Sequence, residues 1–290
     1  MPPPTPGATG IDALAAGVAA RLGDLPNVVA VVLGGSHAAG VAAPASDLDL
    51  YVYADPAPPA SLRAALVGPD ARGELDQHFW EPGDAWVDGE TGVEVDVMYR
   101  APAWIEGELA RVLDRHEALV GYSTALWHNV RVSRPLVDRD EWFAVLQERA
   151  RVPYPEPLRR AVVAKNHPLL RRSLFSFLRQ IEDALARDDA VAVQHRLTAL
   201  LASFFDVLFA LNRQTHPGEK RLLRYAEDAC PRRPADLAAR VEALLATAAP
   251  PPRSDELLRL ANELVDDLDD QLLAAGLLPA DPAGSRPSRL

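Results

Sequence analysis

The stretch VVAVVLGGSHAAGVAAPASDLDL, residues 28–50, decides the fold of this chain. It opens with Val28–Leu33, an apolar and mostly β-branched run that is long enough for one buried strand. Two glycines and Ser36 follow, a combination that allows a tight turn and the start of a short helix. Asp47 and Asp49 then alternate with apolar residues, so the pattern predicts a second strand with both carboxylates on one face.

Two carboxylates that share one face of a strand repel each other unless a cation lies between them. Mg²⁺ is the natural candidate, because it takes hard oxygen ligands and usually keeps substrate phosphates in its coordination shell. The backbone N–H groups at a glycine turn and helix start are suited to bind such phosphates. The stretch therefore predicts a metal site and an anion site on neighbouring strands.

The order Gly-Ser, ten residues, Asp-Leu-Asp, which runs from Gly35 to Asp49, resembles the signature of the DNA polymerase β-like nucleotidyltransferase superfamily. Pro44 and Ser46 make it most similar to the antibiotic nucleotidyltransferases, which act on aminoglycosides and lincosamides. The resemblance implies a mixed-sheet nucleotidyltransferase domain, α/β (α+β) in class, followed by an all-helical bundle domain that closes over the substrate or nucleotide. It also implies two Mg²⁺ ions as cofactors and a nucleoside triphosphate as substrate.

The superfamily carries a third carboxylate on a later strand, and the stretch 92–99, GVEVDVMY, supplies it with strict alternation. Glu94 and Asp96 are two residues apart and share a face, so both are candidates. Asp96 is preferred, because it lies deeper in the apolar alternation and its surroundings are similar to the family pattern. Glu94 stays open as the alternative base or metal ligand.

The resemblance also implies a role for each residue of the motif. Asp47 and Asp49 would bind metal, and Asp96 would bind metal and act as the base. Gly35 and Ser36 would hold the phosphates through backbone N–H groups and the serine hydroxyl. A plain helix start would have the same Gly-Ser geometry.

The segment LNRQTHPGEKR, residues 211–221, carries cations after a glycine turn. We expect a helix to start there with Lys220 and Arg221 in its first turn, where the helix dipole disfavours positive charge. A bound anion would explain these cations, and a solvated charged face is the alternative. The run Asn-x-x-x-x-Pro-Gly-x-Lys resembles the helical domains of antibiotic nucleotidyltransferases, which implies that Lys220 contacts the nucleotide.

Composition excludes several classes of protein. Cys230 is the only cysteine, so no internal disulfide and no Cys-rich zinc site can form. Residues 1–150 contain 22 acidic and 10 basic side chains, a poor complement to a polyanion, which argues against long nucleic acid as a partner. The chain start lacks the features of a signal peptide, and no apolar run approaches the roughly 18 residues that span a membrane. We therefore expect a cytoplasmic protein with no membrane partner.

Proline-rich residues 152–157 interrupt the pattern and predict a domain boundary. The expected parts are a nucleotidyltransferase domain at 11–151, a helical domain at 155–277, and disordered tails at 1–10 and 278–290.

Residues 74–80 are predicted to form a strand and residues 81–84 a turn, within an acidic region. Residues 73–99 contain eight acidic side chains and no lysine or arginine, with Trp80 and Trp86 among them. This composition is typical of a pocket for a polycationic acceptor, with carboxylates for ammonium groups and indole rings for cation–π contacts. A solvated hairpin would have the same composition.

The sequence thus predicts a Mg²⁺-dependent enzyme that moves a nucleoside monophosphate, AMP from ATP in the first instance, to a hydroxyl of a small-molecule acceptor. An aminoglycoside-like cation is the acceptor that the acidic region suggests. Two alternatives stay open. One is a protein-directed nucleotidyltransferase of the antitoxin type, and the other is a non-catalytic nucleotide-binding relative.

Overall fold

The computed structural model describes residues 8–38, 46–67, 72–249, 252 and 254–279. The chain divides into two compact units: Met1–Ala110 with Leu126–Val152, and Arg111–Ala125 with Pro153–Leu290. Most of the predicted tails, 1–10 and 278–290, lies outside the described residues. The first helix, α1 (Ala8–Gly23), already begins within the first of them.

A six-stranded mixed sheet forms the centre of the first unit. Its strands are β1 (Val28–Leu33), β2 (Leu48–Ala54), β3 (Arg72–Gln77), β4 (Gly83–Val87), β5 (Glu94–Arg100) and β6 (Arg134–Asp138). The order across the sheet is β3-β4-β5-β2-β1-β6, with β2 and β5 parallel and all other neighbours antiparallel. This arrangement confirms the predicted α/β class with a mixed sheet.

Helices accompany the sheet in the first unit. They are α1, α2 (Gly35–Ala38), α3 (Ala60–Arg63), α4 (Pro102–Leu113), α5 (Ala125–Val132) and α6 (Trp142–Ala150), of which the last three residues of α4 and the first residue of α5 are assigned to the second unit. Val18 and Leu22 of α1 belong to the same buried core as Leu48 and Leu50 of β2. Because side chains alternate along a strand, Asp49 projects to the face of the sheet opposite to this core.

The predicted turn at 81–84 is wrong for its last two residues, because Gly83 and Asp84 begin β4. A Cβ atom on Gly83 would lie 2.6 Å from the carbonyl oxygen of Val97, so only glycine fits between the paired strands at this point. Asp84 is 1% exposed, and its carboxylate is bonded by Arg63 and by the Tyr99 hydroxyl at 2.8 Å. Asp84 can therefore lie in a buried strand, because Arg63 and Tyr99 bond its carboxylate.

β6 was not predicted as a strand. It pairs antiparallel with β1 at the edge of the sheet, and Pro135 lies opposite Val32. Proline removes one ladder donor and is tolerated on edge strands. The strand therefore forms because β1 offers a free edge, which local sequence does not reveal.

The second unit is helical over its described residues. Its helices are α7 (Glu156–Arg171), α8 (Phe177–Leu185), α9 (Ala190–Leu211), α10 (Leu222–Ala229), α11 (Leu237–Thr247) and α12 (Ser254–Ala274). Among the described residues, α9 is the one helix whose length and apolar composition would suffice to cross a membrane. Half of its most apolar window is buried, and α9 packs against α7, α8 and α12, as the core helix of a bundle does.

A buried polar network holds residues 111–125 in the second unit. Asp206 on α9 accepts hydrogen bonds from the Ser123 N–H at 3.0 Å, the Ser123 hydroxyl at 2.6 Å and the Asn166 amide at 3.0 Å. Asn166 also accepts a bond from the Gly121 N–H at 2.8 Å. Burial raises the pKa of Asp206 to about 7.

Candidate functional site

The glycine turn after β1 lies against the carboxylate of Asp49. The Gly34 N–H donates a hydrogen bond to the Asp49 carbonyl oxygen at 2.9 Å, which joins the turn to β2. Gly35 has a φ of +56°, and a Cβ atom there would lie 2.6 Å from Asp49 Cγ and closer still to Oδ2. Only glycine readily adopts this positive φ and also leaves the space that the Asp49 carboxylate occupies. The predicted anion site and the predicted metal ligand are therefore immediate neighbours.

Asp96 stands in register with Asp49 on the parallel strands β5 and β2. Residues paired in this way project to the same face of a sheet, and both are half-buried. Asp47 is half-buried as well and lies just before β2, two residues ahead of Asp49. Glu94 is exposed at the start of β5 and pairs with Val87 of β4, so the register with β2 favours Asp96.

The donor chemistry here fits a hard divalent cation, because Asp49 and Asp96 offer carboxylate oxygens from adjacent strands. Within the described part of the chain, no three or more His, Cys, Asp or Glu side chains form a group that could hold a metal ion. The three aspartates are therefore not a complete protein cage. Mg²⁺ commonly binds one or two carboxylates and takes its remaining ligands from water and substrate phosphates. The pair fits a site of that open kind.

Ser36 and His37 continue the turn into α2. The Ser36 hydroxyl oxygen is buried and has no hydrogen-bond partner among the residues that the structure describes. Buried hydroxyl groups are nearly always bonded in folded proteins, so this one is available to a ligand. His37 Nε2 donates a hydrogen bond to the Ser46 carbonyl oxygen at 3.3 Å. This bond ties α2 to the residue that precedes Asp47.

Sequence reasoning missed the residues that support the turn. Tyr51 follows Asp49 on the same face of β2, and its ring fills the space that a side chain at Gly34 would need. Arg100 stacks over this ring with its Cζ atom 4.1 Å from the centroid, and Asn129 donates to the Tyr51 hydroxyl at 2.9 Å. The alternation along β2 was the available signal, because it places residues 49 and 51 on one face.

The charge of Arg100 is balanced inside the first unit. Its Nε and Nη2 atoms donate to the two carboxylate oxygens of Glu81 at 2.7 and 2.9 Å. Burial disfavours the charged guanidinium, but the bonded Glu81 carboxylate outweighs this and raises the pKa of Arg100. Burial also raises the pKa of Tyr51, and the nearby Arg100 partly offsets that effect. Tyr51 is therefore a neutral phenol.

The acidic region 73–99 is only partly available to a ligand. Asp84 is buried, Glu81 is bonded to an arginine, and Trp86 is 4% exposed within the core. Trp80, in contrast, is 95% exposed. The exposed acidic residues of this surface include Glu74, Glu90 and Glu94. Fewer acidic and aromatic side chains of this region are therefore open to an acceptor than its composition predicts.

Lys220 lies in the second unit, exposed and just before α10. α10 begins at Leu222, and Arg221 has a left-handed backbone conformation ahead of it. The predicted first-turn position of Lys220 and Arg221 is therefore wrong, since both precede the helix. The His216 N–H donates to Thr124 Oγ1 at 2.8 Å and anchors this loop within the unit. The nucleotide contact of Lys220 stays a prediction.

Comparison with known proteins finds one family that part of the chain resembles. Residues 16–119 match the model of the nucleotidyltransferase domain family, so this part of the chain is similar to nucleotidyltransferase domains. This match supports a nucleotidyl transfer activity. The solved structure of a nucleotidyltransferase-like protein from Exiguobacterium sibiricum 255-15 is similar, with 13% identity, a TM-score of 0.42, and coverage of 87% of this chain and 71% of that chain. No curated protein matches the sequence.

Proposed function

We propose that this protein is a Mg²⁺-dependent nucleotidyltransferase that moves a nucleoside monophosphate, AMP from ATP, to a hydroxyl of a small-molecule acceptor and releases pyrophosphate. The observation that carries the proposal is the contact between the Gly35 turn and the Asp49 carboxylate, with Asp96 in register beside it. Nucleotidyl transfer is catalysed mainly by positioning and charge neutralisation. A turn that binds phosphates next to paired carboxylates would serve both purposes.

In the proposed mechanism the backbone N–H groups of Gly35 and Ser36, with the serine hydroxyl, hold the phosphate tail. Asp47, Asp49 and Asp96 would contribute carboxylate ligands to the metal, which would neutralise phosphate charge and lower the pKa of the attacking hydroxyl. Asp96 accepts the proton of that hydroxyl as its oxygen bonds to the α-phosphorus. The bond from the α-phosphorus to the bridging oxygen breaks, and pyrophosphate leaves.

A cationic acceptor, such as an aminoglycoside, is part of the proposal. Its support is a set of exposed side chains on β3–β5 and their connections: the indole of Trp80 between β3 and β4, Glu74 on β3, and Glu90 and Glu94 at the opposite end of β4. Exposed aromatic faces attract cations, and carboxylates attract ammonium groups. Lys220 of the second unit is proposed as a further contact for the nucleotide.

A non-catalytic nucleotide-binding relative is the second candidate. Its support is the Gly35 turn with the buried Ser36 hydroxyl, which could bind a triphosphate whether or not the aspartates hold a metal. In such a relative the turn would still bind a triphosphate, but no pyrophosphate would be released.

The deciding experiment incubates the full-length protein with Mg²⁺, each labelled nucleoside triphosphate and a panel of aminoglycosides, lincosamides and crude metabolites. We expect pyrophosphate release and label on a small molecule for wild type, and neither for Asp49→Asn. Asp12→Asn is the matched control, because Asp12 is an exposed acid on α1. Label on a protein would favour the protein-directed alternative, and nucleotide binding without pyrophosphate release would favour the non-catalytic one.

A further inference from the structure

We infer that Tyr51 is a positioning residue that holds the phosphate-binding turn at residues 34–36 in place, with Arg100 and Asn129 as its supports. The inference rests on the proposed function of that turn. Tyr51 is 7% exposed, so it acts through the turn and not by touching the substrate.

The turn lies directly on two side chains of β2. A Cβ atom on Gly35 would overlap the carboxylate of Asp49, and a Cβ atom on Gly34 would lie 2.7 Å from Tyr51 Cζ and closer still to Cε2. The two glycines therefore allow the backbone to approach Asp49 and Tyr51 closely. The ring of Tyr51 fixes how near the Gly34 peptide comes to the sheet, and so where the following N–H groups stand.

Tyr51 itself is fixed from two directions. Its hydroxyl accepts a hydrogen bond from Asn129 Nδ2 at 2.9 Å, and the guanidinium of Arg100 stacks on its ring at 4.1 Å. Arg100 is in turn fixed by its two bonds to Glu81 and by the ring of Trp104, 5.2 Å away. A planar guanidinium bonded at both ends of its fork has little freedom to move, so it is a rigid support for the ring.

These contacts also argue against a direct phosphate contact by Arg100. The side chain is only 8% exposed, and its charge is already matched by the bidentate pair with Glu81. The Nε and Nη2 atoms are bonded to Glu81 and the Nη1 atom is buried, so moving the side chain outward to a ligand would break the pair with Glu81. The contacts of Arg100 instead indicate that it holds the Tyr51 ring in place.

The sheet offers a matched control on its other face. Tyr99 of β5 is 5% exposed, lies under Arg63 at 4.5 Å, and donates its hydroxyl to Asp84 at 2.8 Å. It thus repeats the environment of Tyr51, a buried phenol bonded at its hydroxyl and covered by an arginine. Tyr99 belongs to the core face of the sheet, away from the side that carries Asp49.

The test compares Tyr51→Leu, Tyr51→Phe and Tyr99→Leu in the full chain. The binding probe is Mg²⁺-tripolyphosphate in titration calorimetry, and amide hydrogen exchange is followed in peptides that cover residues 33–38. Misplacement of binding groups is costly, so Tyr51→Leu should weaken tripolyphosphate binding by about 10-fold or more and speed exchange in these peptides. Tyr51→Phe keeps the ring and should lose less than about threefold. Tyr99→Leu should lower the melting temperature and leave both readouts near wild type.

A second pair of variants covers the case in which Tyr51→Leu does not fold. Asn129→Leu and Tyr51→Phe remove the same hydrogen bond from opposite ends, so each should speed exchange at residues 33–38 and the double variant should add nothing further. Additive effects of the two changes would overturn the inference. So would a folded Tyr51→Leu with wild-type binding and exchange. If wild type itself does not bind Mg²⁺-tripolyphosphate, the proposed function fails, and the exchange data alone decide whether Tyr51 positions the turn.

Discussion

The carboxylate of Asp49 fills the space that any side chain at residue 35 would need. The turn and the acidic strand are therefore built as one unit, in which the missing side chain of Gly35 allows the carboxylate to reach the backbone. The positive φ of Gly35 adds a second reason for glycine at this position. Both the proposed phosphate contact and the proposed metal contact depend on this relationship.

Gly35→Ala should strongly weaken nucleotide binding at this site. The new methyl group would meet the Asp49 carboxylate, so either the turn or the acidic side chain must move. A strained left-handed alanine adds about 1 kcal/mol or more to the cost of folding. Titration with Mg²⁺-ATP measures the loss, which should be at least about 100-fold.

Gly17→Ala and Gly107→Ala are the controls for this change. Both glycines lie in helices, α1 and α4, and a Cβ atom at either would meet nothing within 4 Å. Alanine in a helix interior is more stable than glycine by about 0.5–1 kcal/mol. These variants should therefore be slightly more stable than wild type, with unchanged binding. Wild-type affinity in Gly35→Ala would contradict the proposed role of the turn.

Asp96→Asn should make the nucleotide-free protein more stable and the enzyme nearly inactive. Asp49 and Asp96 stand in register on adjacent strands, so removing one charge relieves their repulsion and should add about 0.5–2 kcal/mol to the free energy of unfolding. Loss of the base should lower the rate by about 10²–10⁴-fold. Thermal unfolding and pyrophosphate release measure the two effects. Full activity in Asp96→Asn, with loss in Glu94→Gln, would reassign the base to Glu94.

Asp84→Ala should be among the most destabilising single changes in the first unit. It would remove the buried carboxylate from the 5% exposed Arg63, which keeps the more exposed Asp76 as an ion-pair partner, and would leave the Tyr99 hydroxyl without its acceptor. Breaking a buried pair in this way costs about 3–5 kcal/mol. Chemical denaturation measures this loss in the free energy of unfolding.

The comparison for this change is Asp12→Ala. Asp12 pairs with Arg134 at 2.9 Å, but both side chains are more than half exposed. Changes at such surface positions usually stay within about 0.5 kcal/mol. A similar loss in both variants would mean that burial does not govern the strength of these pairs.

The second unit should become less stable as pH rises from about 4 to about 7. Burial raises the pKa of Asp206 to about 7 from its ordinary value of 3.8, so the folded state binds a proton more tightly than the unfolded state across this range. The free energy of unfolding contributed by Asp206 therefore falls as the pH increases. Asp206→Asn should remove this decline, and denaturation curves across the range measure it.

Asp269 provides the opposite case within the same unit. Burial alone would raise its pKa, but hydrogen bonds from His167 and Arg171 outweigh burial and lower it to about 2. The stability that Asp269 contributes is present above a pH of about 4 and is lost as the pH falls toward 2.

For Asp206, the contradicting result is an Asp206→Asn protein that keeps the full wild-type decline in stability between pH of about 4 and about 7. That result would show that another group titrates in this range.

The central strands and the candidate site could be predicted because their signals are local. The apolar run of β1, the alternation of Asp47 and Asp49 with apolar residues, and the Gly-Ser turn each follow from the period of one strand or the conformational needs of one turn. The preference for Asp96 over Glu94 came from the same alternation, and the β2–β5 register favours it.

The features that were not predicted depend on partners far along the chain. Tyr51 matters because Asn129 and Arg100 reach it, and β6 forms because β1 has a free edge. Residues 111–125 join the second unit through Asp206, more than 80 positions later. Local patterns carry no information on such pairings, because they are fixed by packing.

The central claim is that one site, formed by the Gly35 turn, Asp49 and Asp96, binds the metal and the triphosphate together. Anomalous scattering from Mn²⁺ in crystals grown with a non-hydrolysable ATP analogue tests it most directly. We predict a Mn²⁺ peak in contact with the Asp49 and Asp96 carboxylates, and a triphosphate bonded to the backbone N–H groups of Gly35 and Ser36. A triphosphate bound elsewhere, or a metal that contacts neither aspartate, would contradict the account.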